Sequence, residues 1–411
     1  MRNDSHRAFR FPAVIAAAAV LLLAQLVAFL VLLGRLVPGR RRRPPAAPIA
    51  EGVTGTSVSV VVTSLNEAGR IIPCLEGLHR QGEPLAEVIV VDSRSVDGTP
   101  ELVRAMAARD RRFRLVNDPP LPNDWIGKVW ALQHGLREAR GEWVLGVDAD
   151  TEPRPGMVAG AVRAAEEGGY EMVSFSPRFT GQTAAEQWLQ PAMLLTLVYR
   201  FGAAGRRDPP PGKVLANGQC FLARREVLLR HGGYEAARRS FCDDVTLARH
   251  YATLGVRVGF LDGSQLYLVR AYESIGQMWR EWGRSLDLRD ATSPLRQWGD
   301  VAFLLLVQGF PIFVLLALLT AGLPATTGAA GVLVARALVA VNGALLLTRV
   351  LMLFALRGAY DRPGVAFWLS PLADPVAAWR IVLSTVSRPK AWRGRAYALD
   401  APRKPAAPPG A

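Results

Sequence analysis

EVIVVDSRSVDGT, residues 87–99, decides the fold. Glu87 to Val91 form a short β-branched run. Asp92 then opens a turn rich in Ser, Asp and Gly, and Thr99 begins a segment with helical spacing. The run shows no polar alternation, which predicts a strand covered on both faces. The same succession recurs to either side of it. VSVVV (58–62), FRLV (113–116), WVLGV (143–147) and EMVSF (171–175) read as further buried strands, with helices over 70–81, 99–110 and 127–140. This alternation predicts an α/β fold with a Rossmann-like, mostly parallel sheet and helices on both faces. Ligands of such sheets bind beyond the carboxyl ends of the strands. The polar residues that succeed each run are therefore the candidates for chemistry.

The rest of the 411 residues does not fit a soluble protein alone. Half are hydrophobic and the formal net charge is +14. Residues 11–33 carry no charge and are long enough to span a bilayer. Residues 1–43 thus read as an anchor with a basic stop, and the Arg40–Arg43 block directs the succeeding domain to the cytoplasm. A Pro/Gly/Ala linker (44–56) leads to a catalytic domain expected over 57–290. Membrane helices return over 291–387, at about 301–323 and 329–356. The stretch 365–386, with Pro371, Asp374, Pro375 and Arg380, predicts a broken or interfacial helix. A basic tail, 388–411, closes the chain. WLQPAMLLTLVYRF (188–201) is too short to span and reads equally as a buried or an interfacial helix.

Basic clusters beside apolar runs favour anionic lipid headgroups, and no nucleic-acid motif accompanies them. The location expected is a multi-pass protein of the cell membrane. Cys74, Cys220 and Cys242 form no CxxC pair, so neither a disulfide framework nor a zinc site is indicated.

Three acidic signals carry the chemistry. Asp148-Ala149-Asp150 comes directly after the strand WVLGV, placing two carboxylates at the sheet edge. Mg²⁺ or Mn²⁺ takes oxygen ligands and is commonly held by one or two carboxylates plus substrate phosphates. Asp92 ends another strand and can accept from a base or ribose, with Ser95 in the adjoining turn; Ser and Asp there also suit a helix cap. The edge of the first strand, Ser64, Asn66 and Glu67, can face a nucleotide in the same way. Asp243-Asp244 opens a helix, where the dipole alone would favour acids; one of the two can instead serve as a general base.

Taken together, VSVVVTSLNE, VIVVDSRSVDGT, DWIGKVWALQHG (124–135), VDAD, LANGQCFLARREV (215–227) and FCDDVTLA resemble family 2 glycosyltransferases in order and spacing. The resemblance covers roughly 57–290. It implies a GT-A nucleotide-diphospho-sugar transferase fold, inversion at the anomeric carbon and a divalent metal, Mg²⁺ or Mn²⁺. By position, Asp92 resembles the base contact, Asp150 the metal ligand with Asp148 assisting, Lys128 a residue near the donor, and Asp244 the catalytic base. Asp243 stands where many members carry Glu. Asn217, Gly218 and Gln219 match a segment on the sugar and acceptor side, to which Trp282 and Arg284 are added. Processive members carry a Gln-x-x-Arg-Trp motif; QMWREWGR (277–284) keeps Trp282 but has Glu281 where Arg is expected. The layout, including AWRGRAY (391–397), resembles non-processive members associated with hopanoids and with carotenoid glycosylation.

The resemblance thus implies transfer of one sugar from a nucleotide donor, a UDP-sugar in the first instance, to a hydroxyl of a lipid-like acceptor. The rivals are a processive polysaccharide synthase, a glycosidase using paired carboxylates, and a non-catalytic membrane scaffold of the same fold.

Overall fold

The computed structural model describes residues 4–50, 53–181, 183–270, 272, 274–285, 292–321, 328–387, 391, 392, 395 and 396. Among these, seven strands form one sheet. They are β1 (Val58–Ser64), β2 (Leu85–Asp92), β3 (Phe113–Asn117), β4 (Trp143–Asp148), β6 (Met172–Ser176), β8 (Cys220–Arg224) and β9 (Val258–Asp262), in the order 3-2-1-4-8-6-9. All neighbours are parallel except β8, which runs antiparallel between β4 and β6. A small second sheet joins β5 (Thr151–Pro153), β10 (Tyr267–Val269) and β7 (Arg178–Phe179).

The core explains the strand sequences. Val58, Val60 and Val62 point into one buried cluster with Val88, Val90, Leu145 and Val147. Val61, Ile89, Val91 and Val144 point into a second cluster on the other face. Uninterrupted Val/Ile runs are what a sheet buried on both faces requires. Helices α2 (Ile71–His79), α3 (Thr99–Arg109), α4 (Gly127–Glu138) and α5 (Met157–Gly168) complete the layers. The short α7 (Arg225–Arg230) and α8 (Asp243–Thr253) come after β8.

The apolar ends pack together beside this domain. The amino-terminal helix α1 (Asp4–Leu36) and α12 (Gly328–Leu356) are long and apolar enough to cross a membrane, over Ala13–Arg41 and Gly328–Ala359. Between them lie α9 (Ile275–Ser285), α10 (Pro294–Leu304) and α11 (Pro311–Ala321). The span expected at about 301–323 falls in a bent pair of helices, Pro294–Gly309 with Pro311–Thr320, at 44°. The reason is local: a π-helical turn, Leu305–Gly309, precedes Pro311, which has no N–H to continue the ladder. The stretch 365–386 is broken into α13 (Val365–Trp368), a 3₁₀ turn at Ser370–Ala373 and α14 (Asp374–Val386).

Two buried polar links fasten this bundle. Gln25 of α1 and Asn342 of α12 exchange side-chain amide hydrogen bonds of 2.8 and 2.9 Å. Arg349 of α12 donates to both oxygens of Asp374 and to Ser370, while Gln308 in the π-helical turn also donates to Asp374. The outward residues of the long helices, such as Leu23, Leu30, Leu333 and Leu347, remain exposed.

Residues 188–201 belong to a longer helix, α6 (Ala184–Phe201), started by a capping box between Thr183 and Glu186. It buries Leu189, Met193 and Tyr199 against α1 and the carboxy-terminal helices. The linker is also held to the domain. Arg43 N donates to Gly205 O, Ala46 N to Asp262 O and Ile49 N to Gly156 O, at 2.8, 2.8 and 3.0 Å. A Cβ at Gly160 would lie 2.3 Å from Ala47 O, so only glycine admits the chain there.

Candidate active site

β4 ends at Asp148 beside β1, and the turn carries Ala149 and Asp150 to the mouth of the sheet. Lys128, in the first turn of α4, reaches across: its Nζ lies 2.7 Å from Asp148 Oδ1 and 3.0 Å from Oδ2. Burial works against the ammonium, yet Asp148, then Asp243 and Asp244, outweigh it and hold its pKa above the usual lysine range.

Asp243 and Asp244 open α8 opposite these groups. Asp244 is firmly placed: Gly218 N donates to Oδ2 and Val245 N to Oδ1, both at 2.8 Å. Gly218 permits this approach, because a Cβ there would lie 3.0 Å from Lys128 Nζ and 3.7 Å from Asp244 Cβ. The loop before β8 is itself braced by Asn217, whose Oδ1 accepts from Gln219 N and whose Nδ2 donates to Gln219 Oε1. Burial pushes the carboxyls of both acids up. For Asp243 the value reaches about 6, as burial and the charges of Asp244 and Asp148 outweigh Lys128. For Asp244 the same burial is opposed by Lys128 and the two backbone donors.

These groups share a cavity of about 980 Å³. Ser64, Glu67, Lys128, Asp148, Asp150, Asn217, Gly218, Gln219, Asp243 and Asp244 line it. Apolar side chains line it too: Leu33 and Leu36 of α1, Leu194, Leu197 and Val198 of α6, Trp282 of α9, and Met352 and Leu356 of α12, with Arg40, Arg42 and Glu281 among them. Arg178, Asp262, Ser264 and Gln265 also line it. Sequence reading missed these four because they lie in or beside short strands, β7 and β9, that carry no motif.

Asn66, Asp92 and Ser95 are not part of the cavity lining. Asp92 is buried, accepts from Ser64 Oγ, Ser95 N and Ser95 Oγ at 3.0, 2.8 and 2.6 Å, and borders a neighbouring depression with Arg94 and Asn117. Ser95 accepts in turn from Asn66 N, and Asn66 Oδ1 accepts from Val96 N. Asn66 and Ser95 thus staple the loops after β1 and β2 together. Glu67 pairs with Arg70 at 2.9 Å. Trp282 packs beneath α6, and the Arg284 side chain lies outside the described residues.

Among the described residues no group of three or more His, Cys, Asp or Glu side chains is set to hold an ion. What is present is the cavity-lining pair Asp148 and Asp150, with Lys128 already seated on the first. This donor set fits a hard divalent ion that takes one or two carboxylates from the protein and the remaining oxygens from a bound diphosphate.

Comparison with known proteins agrees with the architecture. The structure superimposes on the mannosyltransferase PcManGT of Pyrobaculum calidifontis with a TM-score of 0.51 at 21% identity, covering 90% of this chain and 97% of that one. The fold is therefore of GT-A type. Residues 59–232 match Glycosyl transferase family 2 and form a domain of that family. The chain is 31% identical over 137 residues to glycosyltransferase AglE of Haloferax volcanii, spanning 32% of this chain and 43% of that protein. It is 34% identical over 102 residues to the 4,4'-diaponeurosporenoate glycosyltransferase of Staphylococcus haemolyticus, spanning 25% of this chain and 26% of that protein. The chain spans less than half the length of either curated relative.

Proposed function

We propose that this protein is an inverting glycosyltransferase that moves a single sugar from a nucleoside diphosphate sugar to a hydroxyl of a lipid-like acceptor in the cell membrane. The observation that carries this reading is the lining of the cavity: carboxylates and side chains of the apolar helices α1, α6 and α12 border one continuous space. A water-soluble acceptor would have no use for Leu33, Leu197 and Met352. The name of the diaponeurosporenoate relative, a carotenoid glycosyltransferase, points the same way.

In this mechanism the donor lies over the carboxyl ends of β1 and β4. Lys128 neutralises Asp148, which leaves Asp150 facing the donor diphosphate. A divalent ion, when bound by Asp150 and Asp148, supplies the positive charge that a leaving diphosphate needs. Asp244, fixed by the Gly218 and Val245 amides, takes the proton of the acceptor hydroxyl as that oxygen attacks the anomeric carbon from the opposite face. Asp243 sets the electrostatic ground on which Asp244 titrates. The helices α1, α6 and α12 hold the acceptor's apolar body, so the hydroxyl arrives already oriented. The domain faces the cytoplasm, where nucleotide sugars are made.

The test is a transfer assay on membranes containing the full chain, with radiolabelled UDP- and GDP-sugars and Mn²⁺, then lipid extraction. A discrete, metal-dependent labelled lipid is the expected result. Label confined to an insoluble polymer would establish a processive synthase instead. Absence of both transfer and donor binding would leave a scaffold.

A further inference from the structure

The amide pair of Gln25 and Asn342 ties α1 to α12 within their apolar stretches. Both helices run toward the domain. The chain after α1 is pinned to it through Arg43, and the chain after α12 bridges to β7, where Asp361 N donates to Phe179 O at 2.9 Å. Beyond the pair, each helix comes to border the cavity. Leu33 lies about 12 Å along α1 from Gln25, and Met352 about 15 Å along α12 from Asn342, at about 1.5 Å of rise per residue. The cavity therefore meets both helices at a similar depth, on the domain side of the link that fastens them.

Exposure separates the wall of that space from its rim. Leu197 and Val198 of α6 line the cavity and are half-buried. Leu33 and Val37 line it as well, yet they are 37% and 58% exposed. Ala355 of α12 and Gly358 in the turn after it line the cavity and are also exposed. Residues that border both the cavity and the outer surface stand where the two meet. On the α12 side these residues are small, and a Cβ on Gly358 would meet no heavy atom within 4 Å. The surface outside is apolar: Leu30 of α1 and Leu351 and Phe354 of α12 are exposed, within stretches long enough to cross a membrane.

We propose that the gap between the domain-proximal ends of α1 and α12 is a lateral doorway, through which the acceptor passes from the membrane into the cavity. The doorway rests on the proposed transfer to a lipid hydroxyl, and it narrows the acceptor's class to a membrane lipid with its hydroxyl at one end of a long apolar body. Such a molecule need not enter water. Its body stays against Leu30 and Phe354 while its hydroxyl advances past Gly358 into the space that Asp244 borders. This avoids the cost of wetting the apolar body, which grows with every methylene.

The test uses the full chain in phospholipid nanodiscs and a hexadecanol analogue that bears a diazirine on its chain. After illumination, peptide mass spectrometry locates the adducts, which are expected on α6 around Leu197 and Val198. Gly358→Trp fills the gap and should reduce those adducts by at least about tenfold, the scale of overpacking an occupied space. Ala355→Trp, from the preceding turn, repeats the test independently. Gly343→Trp adds the same ring at an exposed position of α12 where a Cβ also meets open space, and should leave the adducts unchanged. Adducts confined to outward residues such as Leu30 and Leu347, or undiminished on α6 in both the Gly358 and Ala355 variants, would overturn the doorway. In the transfer assay, labelled lipid formed equally fast by wild type and Gly358→Trp would overturn it while leaving the transferase reading intact. Adducts on α6 without any labelled lipid would uphold the doorway and remove the transferase reading.

Discussion

The Lys128 ammonium spans both oxygens of Asp148, at 2.7 and 3.0 Å, so the first acid of the DxD pair already has a cation from the protein itself. The pair is mostly buried, with side-chain exposures of 15% and 25%. Removing the lysine leaves a carboxylate with no partner in a confined space. Lys128→Met is expected to lower the unfolding free energy by about 1–3 kcal/mol. Mn²⁺ with a nucleoside diphosphate should recover more of that loss in the variant than it adds to the wild-type protein. Thermal unfolding of the detergent-solubilised chain measures both; equal gains would show that the metal does not use Asp148.

Asp244 is held by two backbone amides, which fixes its carboxylate while leaving lone pairs to accept a proton. Asp244→Asn keeps the shape and removes the basicity. Turnover should fall by about 10²–10⁴, the range for a positioned general base. Donor affinity by calorimetry should be unchanged. A parallel loss of donor binding would reassign Asp244 to the donor site.

The raised carboxyl of Asp243 makes two linked predictions about pH. Because its folded value, about 6, lies above the unfolded range near 4, folding takes up a proton between them. Its contribution to stability is complete below pH about 4 and is lost as pH rises through about 6. Asp243→Asn should remove that downward slope from a plot of unfolding free energy against pH. It should also shift the acidic limb of the transfer rate to lower pH, since Asp244 then ionises without a like charge beside it. An acidic limb that stays in place would exclude coupling between the two.

The amide exchange between Gln25 and Asn342 invites a double-mutant cycle. Either single change to Leu strands one buried amide, at a cost of about 1–2 kcal/mol. Changing both restores a matched apolar contact, so the double variant should be more stable than the sum of the singles predicts. Strict additivity in chemical unfolding would mean that the pair does not couple α1 to α12.

Much of this was legible in the sequence. The strands at 58–62, 87–91, 113–116 and 143–147 appear within a residue or two of their reading, because unbroken Val/Ile runs admit few alternatives. Asp148, Asp150, Asp243 and Asp244 could be named because each adjoins an element whose direction the sequence also betrays. What the sequence hid depends on pairing at a distance. Nothing in CFLAR (220–224) announces that it runs antiparallel between β4 and β6. Lys128 is placed near the donor by resemblance alone; its pairing with Asp148 is visible only in the structure. Asp92 reads as an acceptor from a base or ribose or as part of a helix cap; that Ser64 and Ser95 donate to it depends on the pairing of β1 with β2 and on the turn after it. The bend near Phe310 depends on Pro311 and the π-helical turn before it, which an apolar run of that length hides from any reading by composition.

The linker between anchor and domain has a consequence of its own. Residues 43–49 are pinned at Gly205, Asp262 and Gly156, and the chain is pressed so close at Gly160 that no side chain fits there. The domain consequently cannot swing on its anchor like a float on a line. Under the proposed function it rides at one height above the bilayer, and the carboxylates assigned to catalysis ride with it. On that reading substrate choice is a matter of length: the acceptors expected to react are those whose hydroxyl stands at that height when the remainder of the molecule lies in the membrane.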